Sequence, residues 1–176
     1  MKRIASIGFV LAAFLGGDVR AENLPAAAAF ERLRSLAGDW EGPFEWSGAR
    51  SGSGRMSASY LLSGNGSALV ETLAVDGTPS MTSVYHLDGS DLRMTHFCAA
   101  RNQPRLKATR IDEAQGIFEF AIVDITNLPS PTAPHVEGFE IRFLKDDEVR
   151  LTFIFVSDAG RSYERIALTR LTRVRR

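Results

Sequence analysis

Hairpin-turn residues recur along this chain at near-regular intervals, and no other feature limits its fold so strongly. SGNG (63–66), DGTP (76–79), DGS (88–90), DEAQG (112–116), KDDE (145–148) and DAG (158–160) separate segments of strand length. Gly, Asn and Asp are what tight hairpins demand, because their central residues take positive φ. The turns predict ten strands, near 38–46, 55–62, 67–75, 80–87, 91–98, 105–111, 116–125, 136–144, 149–157 and 161–171. Ahead of them, AAAAFERLRSL (26–36) reads as a short helix. Strands joined by such short turns lie antiparallel to their sequence neighbours.

Alternation shows what the sheet does with its two faces. Phe139, Ile141 and Phe143 interleave with Glu140 and Arg142, and Val149, Leu151, Phe153 and Phe155 follow in the next strand. Period two with charges opposite marks a strand buried on one face. With so few helical residues to cover it, such a sheet buries its apolar side by closing on itself. A two-sheet sandwich is the alternative, but it usually needs longer crossing connections. The expected fold class is all-β, an antiparallel up-and-down barrel of about ten strands with a short N-terminal helix. Two stretches interrupt the rhythm, the Gly- and Ser-rich Gly42 to Gly54 and the proline-bearing Asp124 to His135. Both are expected as long loops, placed where a barrel would have its mouth or lid, with tolerated insertion as the alternative.

The N-terminus predicts an address. Lys2 and Arg3 precede an apolar run from Ile4 to Gly17, and Val19-Arg20-Ala21 sets small residues at −3 and −1. This pattern is that of a signal peptide over residues 1–21, cleaved after Ala21, which makes the mature protein periplasmic or secreted. A membrane anchor is the competing reading, but the run falls short of the roughly 20 residues that a spanning helix needs. Cleavage would leave a single barrel domain, residues 22–176, large enough for a sizeable core. It would remove three basic residues and one acidic one, leaving a formal charge of −2. A chain so close to neutral has no general electrostatic case for nucleic acid. The lone cysteine, Cys98, excludes an internal disulfide, and its distance from the cleavage site argues against a lipoprotein.

FERLRSLAGDWEG (30–42) carries a resemblance. It resembles the opening of calycin-type barrels, the lipocalin, fatty-acid-binding and nitrobindin-like families, in which a short helix leads into a Gly-x-Trp on the first strand. In those families a basic residue from the last strand lies against the Trp. The resemblance implies that Gly38, Trp40 and Arg170 close one end of the barrel. A guanidinium over an indole face is a favourable cation–π contact. The chain is also similar, over most of its mature length, to small exported bacterial lipocalin-like proteins with a THxC...NQPR segment, a group that carries no established activity. Nitrobindin-like haem proteins place their iron-binding histidine near the end of the barrel. The last strand here has none, so haem is disfavoured and no cofactor is predicted.

The hairpin MTSVYHLDGSDLRMTHFC (81–98) fixes candidate interior groups. An even-numbered turn at Asp88 puts Met81, Ser83, Tyr85 and Leu87 on one face with Leu92, Met94, His96 and Cys98; a three-residue turn would exchange the faces. The set is the more apolar and is assigned to the interior, with Tyr85, Met94, His96 and Cys98 as candidate ligand contacts. No metal is expected, because i and i+2 side chains stand roughly 7 Å apart and one strand cannot complete a tetrahedral site. Cys98 as nucleophile with His96 as base lacks an orienting carboxylate or helix N-terminus. Arg101, Asn102, Gln103 and Arg105 follow in a specified loop and are candidate donors at the mouth, with a solvated turn as the plainer meaning.

These readings favour an exported barrel that binds a small apolar or amphipathic molecule in its interior, and they lean away from an enzyme. The alternatives are a non-hydrolytic isomerase or cyclase using Tyr85 and His96 as acid and base, and a structural envelope protein whose barrel is filled by its own side chains. The sequence leaves the oligomeric state open.

Overall fold

The computed structural model describes residues 25–172, so the signal-peptide reading of residues 1–21 lies outside the described residues. One helix, α1 (Pro25–Arg34), precedes ten strands: β1 (Gly38–Gly48), β2 (Gly52–Ser63), β3 (Ala68–Val75), β4 (Thr78–Asp88), β5 (Asp91–Phe97), β6 (Gln103–Asp112), β7 (Ile117–Thr126), β8 (His135–Lys145), β9 (Glu148–Ser157) and β10 (Gly160–Arg170). Each pairs antiparallel with its sequence neighbours, and β1 pairs with β10, so the sheet is a closed barrel. Among the described residues no helix is long and apolar enough to cross a membrane.

Turn chemistry and alternation together produce this shape. Asp76 and Gly77 both take positive φ (50° and 75°), the geometry of a two-residue hairpin turn, and they join Val75 directly to Thr78. Gly89 (φ 58°) and Ser90 likewise form a two-residue turn between the paired Asp88 and Asp91. Their two-residue turn pairs Tyr85 with Met94 and Ser83 with His96, and all four side chains are buried. Leu87 shares their parity but stands exposed at the strand end. On β9, Val149, Leu151, Phe153 and Phe155 point inward in strict alternation.

The expectation of a long loop over Gly42 to Gly54 is corrected by the structure. β1 runs on to Gly48 and β2 starts at Gly52, leaving a turn of only Ala49 to Ser51. Small residues here make room and do not mark disorder: a Cβ on Gly54 would come within 2.8 Å of the Phe44 ring, which lies across β2. At Gly42 the backbones of β1 and β10 approach so closely that a Cβ would collide with the Ala167 carbonyl. The proline-bearing stretch is irregular over 127–134.

One end of the barrel is shut. Arg170 lies opposite Trp40 across the β1–β10 seam, with its guanidinium 4.3 Å from the centre of the indole ring. The same guanidinium donates to the carbonyls of Ser35 and Ala37, just past α1, and the Trp40 indole N–H donates to the Leu36 carbonyl at 2.8 Å. Ala29, Phe30, Leu33 and Leu36 complete the plug with buried side chains. Above it Tyr85, Phe120, Phe139 and Phe153 form a ladder of tilted and edge contacts, with centroids 4.7–6.3 Å apart, and fill the middle of the barrel.

Arg170 therefore joins the last strand, the first strand and the helix exit. Arg170→Ala is expected to cost about 2 kcal/mol, from one cation–π contact and two hydrogen bonds. Arg170→Lys should recover only part, since an ammonium cannot lie flat on the ring while reaching both carbonyls. Urea unfolding of the two variants against the wild type checks both values.

Candidate functional site

The open end of the barrel gathers the turns Ala49 to Ser51, Asp76 to Gly77 and Asp158 to Ala159 with the loops 98–102 and 127–134. Between them lies a cavity of about 640 Å³. Phe44, Trp46, Met56, Met81 and Phe155 form its walls, Ala99, Ala100 and Pro134 its rim, and Arg50, Ser162 and Glu164 its polar points. A volume of this size with few polar groups suits a small organic molecule.

One carboxylate stands out on these walls. Glu164 is the cross-strand partner of Trp46, is 3 % exposed, and has an Oε2 with no hydrogen-bond partner. Burial pushes its carboxyl up to about 7, against the opposing pull of the Arg50 guanidinium and a hydrogen bond from the Trp46 side chain. The Trp46 and Phe155 rings lean together with centroids 4.9 Å apart. Arg50 lies on that pair, 4.3 Å from the Trp46 ring centre and 6.0 Å from that of Phe155.

Deeper in, one rung of four neighbouring strands is polar. Tyr60, Glu71, Ser83 and His96 are successive cross-strand partners on β2 to β5, and all are buried. Glu71 accepts from the Tyr60 hydroxyl at 2.6 Å and from the Tyr85 hydroxyl at 3.1 Å. Burial raises its carboxyl above the usual range, while the bonds from Tyr60, Ser83 and Tyr85 hold it back. Ser83 also meets His96 Nδ1 at 3.0 Å. Nε2 has no partner, the ring lies against Phe153, and burial lowers its pKa to about 4, so His96 is neutral.

The residues singled out from the sequence divide between core, rim and outer wall. Tyr85, Met94 and His96 are fully buried, and His96 sits two residues further from the rim than Cys98. Cys98 is buried at the end of β5, with its sulfur accepting from the Ala100 N–H at 3.4 Å. Burial pushes this thiol up and so keeps it protonated, a poor state for a nucleophile. Asn102 is buried, its side-chain amide donating to the Pro134 carbonyl at 2.9 Å while its backbone carbonyl accepts from the Cys98 N–H. Arg101 takes positive φ (65°), and its carbonyl accepts from the Asn127 side chain. Gln103 accepts from the Thr126 hydroxyl, and Arg105 is exposed on the outer face in a two-pronged pair with Asp124. Loop 98–102 reaches the cavity through Ala99 and Ala100, and the candidates flanking them are not in its lining. Among the described residues no three His, Cys, Asp or Glu side chains converge as a metal site would require.

Glu71, Glu164 and Trp46 are the groups that the sequence reading missed. The signal for both carboxylates was alternation: Glu71 has the parity of Leu69 and Leu73, and Glu164 that of Ile166 and Leu168. A charge in register with buried leucines is an interior charge.

No protein-family model matches the chain, and none of the curated proteins matches it. Among solved structures it is similar to a protein of unknown function of the DUF3598 family from Nostoc punctiforme, with a TM-score of 0.55 and 14% identity, over 79% of this chain and 48% of that one. This chain thus spans about half the length of the Nostoc protein. It is likewise similar to Rv2717c from M. tuberculosis, with a TM-score of 0.54 and 16% identity, over 82% of this chain and 98% of that one. At these identities the likeness is one of fold.

Glu164 ties folding to pH. A carboxyl held near 7 in the folded chain, against an ordinary value of 4.5, keeps its proton after the unfolded chain has released its own. Stability therefore falls as pH rises from about 4.5 to about 7 and levels off above, a loss on the order of 3 kcal/mol. The raised carboxyl of Glu71 acts with the same sign. Glu164→Gln should be more stable than wild type at pH 8 and should flatten much of the slope, as read from urea midpoints between pH 5 and 8.

Proposed function

We propose that this chain is an exported, calycin-type barrel that takes up a small apolar or amphipathic molecule at its open end. The observation that carries this reading is the contrast between the two ends. One is plugged by α1 and clamped by Trp40 and Arg170, while the other holds a cavity of about 640 Å³ walled by Phe44, Trp46, Met56, Met81 and Phe155. A protein that needed only a filled core would gain by closing that space, since unfilled apolar volume costs stability. With the middle of the barrel filled, the proposed binding lies in the upper part of the interior, above the Tyr60–Glu71–Ser83–His96 rung.

Binding is tested with N-phenyl-1-naphthylamine, whose fluorescence rises in apolar surroundings. The wild type should bind it, and Ala99→Trp, which narrows the rim from an exposed position, should weaken binding by about tenfold or more. Equal binding by both proteins would sink the cavity as the site.

Export rests on the basic start, apolar run and small residues before Ala21. Intact mass of the protein recovered from its native compartment should correspond to a chain that starts at Glu22. The same sample, colourless between 350 and 600 nm, should show any cargo as a mass adduct under native conditions; a Soret band would instead show haem.

A further inference from the structure

Three observations at the mouth go beyond an apolar cavity. The Glu164 carboxylate oxygen Oε2 is buried on the cavity wall with no partner. A buried acceptor without a donor is costly, and a ligand that supplies the donor recovers that cost. Next to it, the Trp46 and Phe155 rings line the cavity with their centroids 4.9 Å apart. A cation is already seated there: the guanidinium of Arg50 lies over both rings.

Arg50 is a poor permanent occupant of that seat. It is exposed, on a three-residue turn, and among the described residues it makes no salt-bridge contact, acting on Glu164 only through its charge. Gly48 and Gly52 bracket the turn with φ of 93° and 143°, conformations that glycine alone adopts readily. The guanidinium therefore lies on the aromatic wall and makes no hydrogen bond to the Glu164 Oε2. A smaller cationic head entering beneath it would both lie on the rings and donate to the carboxylate, with its apolar body against Met56 and Met81.

Resting on the cavity as the binding site, we infer that the ligand is an organic ammonium ion with an apolar body, held by Glu164 and the Trp46–Phe155 wall, and that Arg50 is the built-in cation it displaces. Glu164 sets charge selectivity, the rings add cation–π attraction, and Arg50 holds the seat in the free protein. The same charges exclude the obvious rival: a ligand carboxylate on Arg50 would lie beside Glu164 and be repelled by it.

Calorimetry with three probes of one shape tests this at pH 8: 2-phenylethylammonium, neutral 2-phenylethanol and anionic 3-phenylpropanoate. The ammonium should bind about tenfold tighter than either of the others, Glu164→Gln should erase that preference, and Arg50→Ala should strengthen ammonium binding several-fold. A preference for the carboxylate, equal binding of all three, or weaker ammonium binding in Arg50→Ala would each overturn the assignment. Should Glu164→Gln not fold, the probe series on wild type and on the surface variant Arg50→Ala still decides it. N-phenyl-1-naphthylamine in parallel separates the two levels: dye binding without ammonium preference defeats this inference alone, and no binding of dye or any probe defeats the cavity reading as well.

Discussion

Pairing between the first strand and the last is the constraint on which the rest of this molecule depends. A ten-strand sheet left open would expose two edges and its apolar face, and closure removes both liabilities. The seam is built with little tolerance. Gly42 admits no side chain against the Ala167 carbonyl, and Trp40 and Arg170 clasp its lower end while also receiving the helix. Plug, core and cavity have their positions because this seam closes.

Inside, the barrel is divided by height. Its lower and middle parts are packed like any protein interior, with leucines and an aromatic ladder. The two interior carboxylates mark different levels and serve different ends. Glu71 is wrapped by the Tyr60 and Tyr85 hydroxyls and reads as a satisfied network that fixes how four strands align. Glu164 keeps an oxygen unpartnered beside open space, which is how a carboxylate looks when its partner comes from outside.

Much of the architecture could be read from the chain because hairpins announce themselves locally. Asp76-Gly77 and Gly89-Ser90 need positive φ or a tight two-residue span, and period-two alternation on β8 and β9 tells inside from outside without tertiary information. The Gly42 to Gly54 stretch misled for the complementary reason: small residues look like a loop in one dimension, yet here they let Phe44 lie across β2 and let β1 press on β10. The site was less legible. His96 and Cys98 draw the eye by residue type, whereas the cavity wall is made by the convergence of β1, β2, β3, β4, β9 and β10, a juxtaposition that exists only once the barrel closes. Glu71 and Glu164 were visible as charges on apolar faces, but parity alone could not say that one would be satisfied and the other not.

The clasp made by Asn102 has a consequence for how the rim can change over evolutionary time. Its bond to the Pro134 carbonyl, with the bond from Asn127 to the Arg101 carbonyl, welds the loops after β5 and β7 into one piece of rim. The opposite side is the short glycine-bracketed turn that carries Arg50. A substitution in the welded half disturbs two loops at once, whereas one in the turn alters a single side chain over the cavity. Under the proposed binding role, variation in cargo among related barrels should therefore collect at the turn, with the welded half kept as a fixed template against which new contents are fitted.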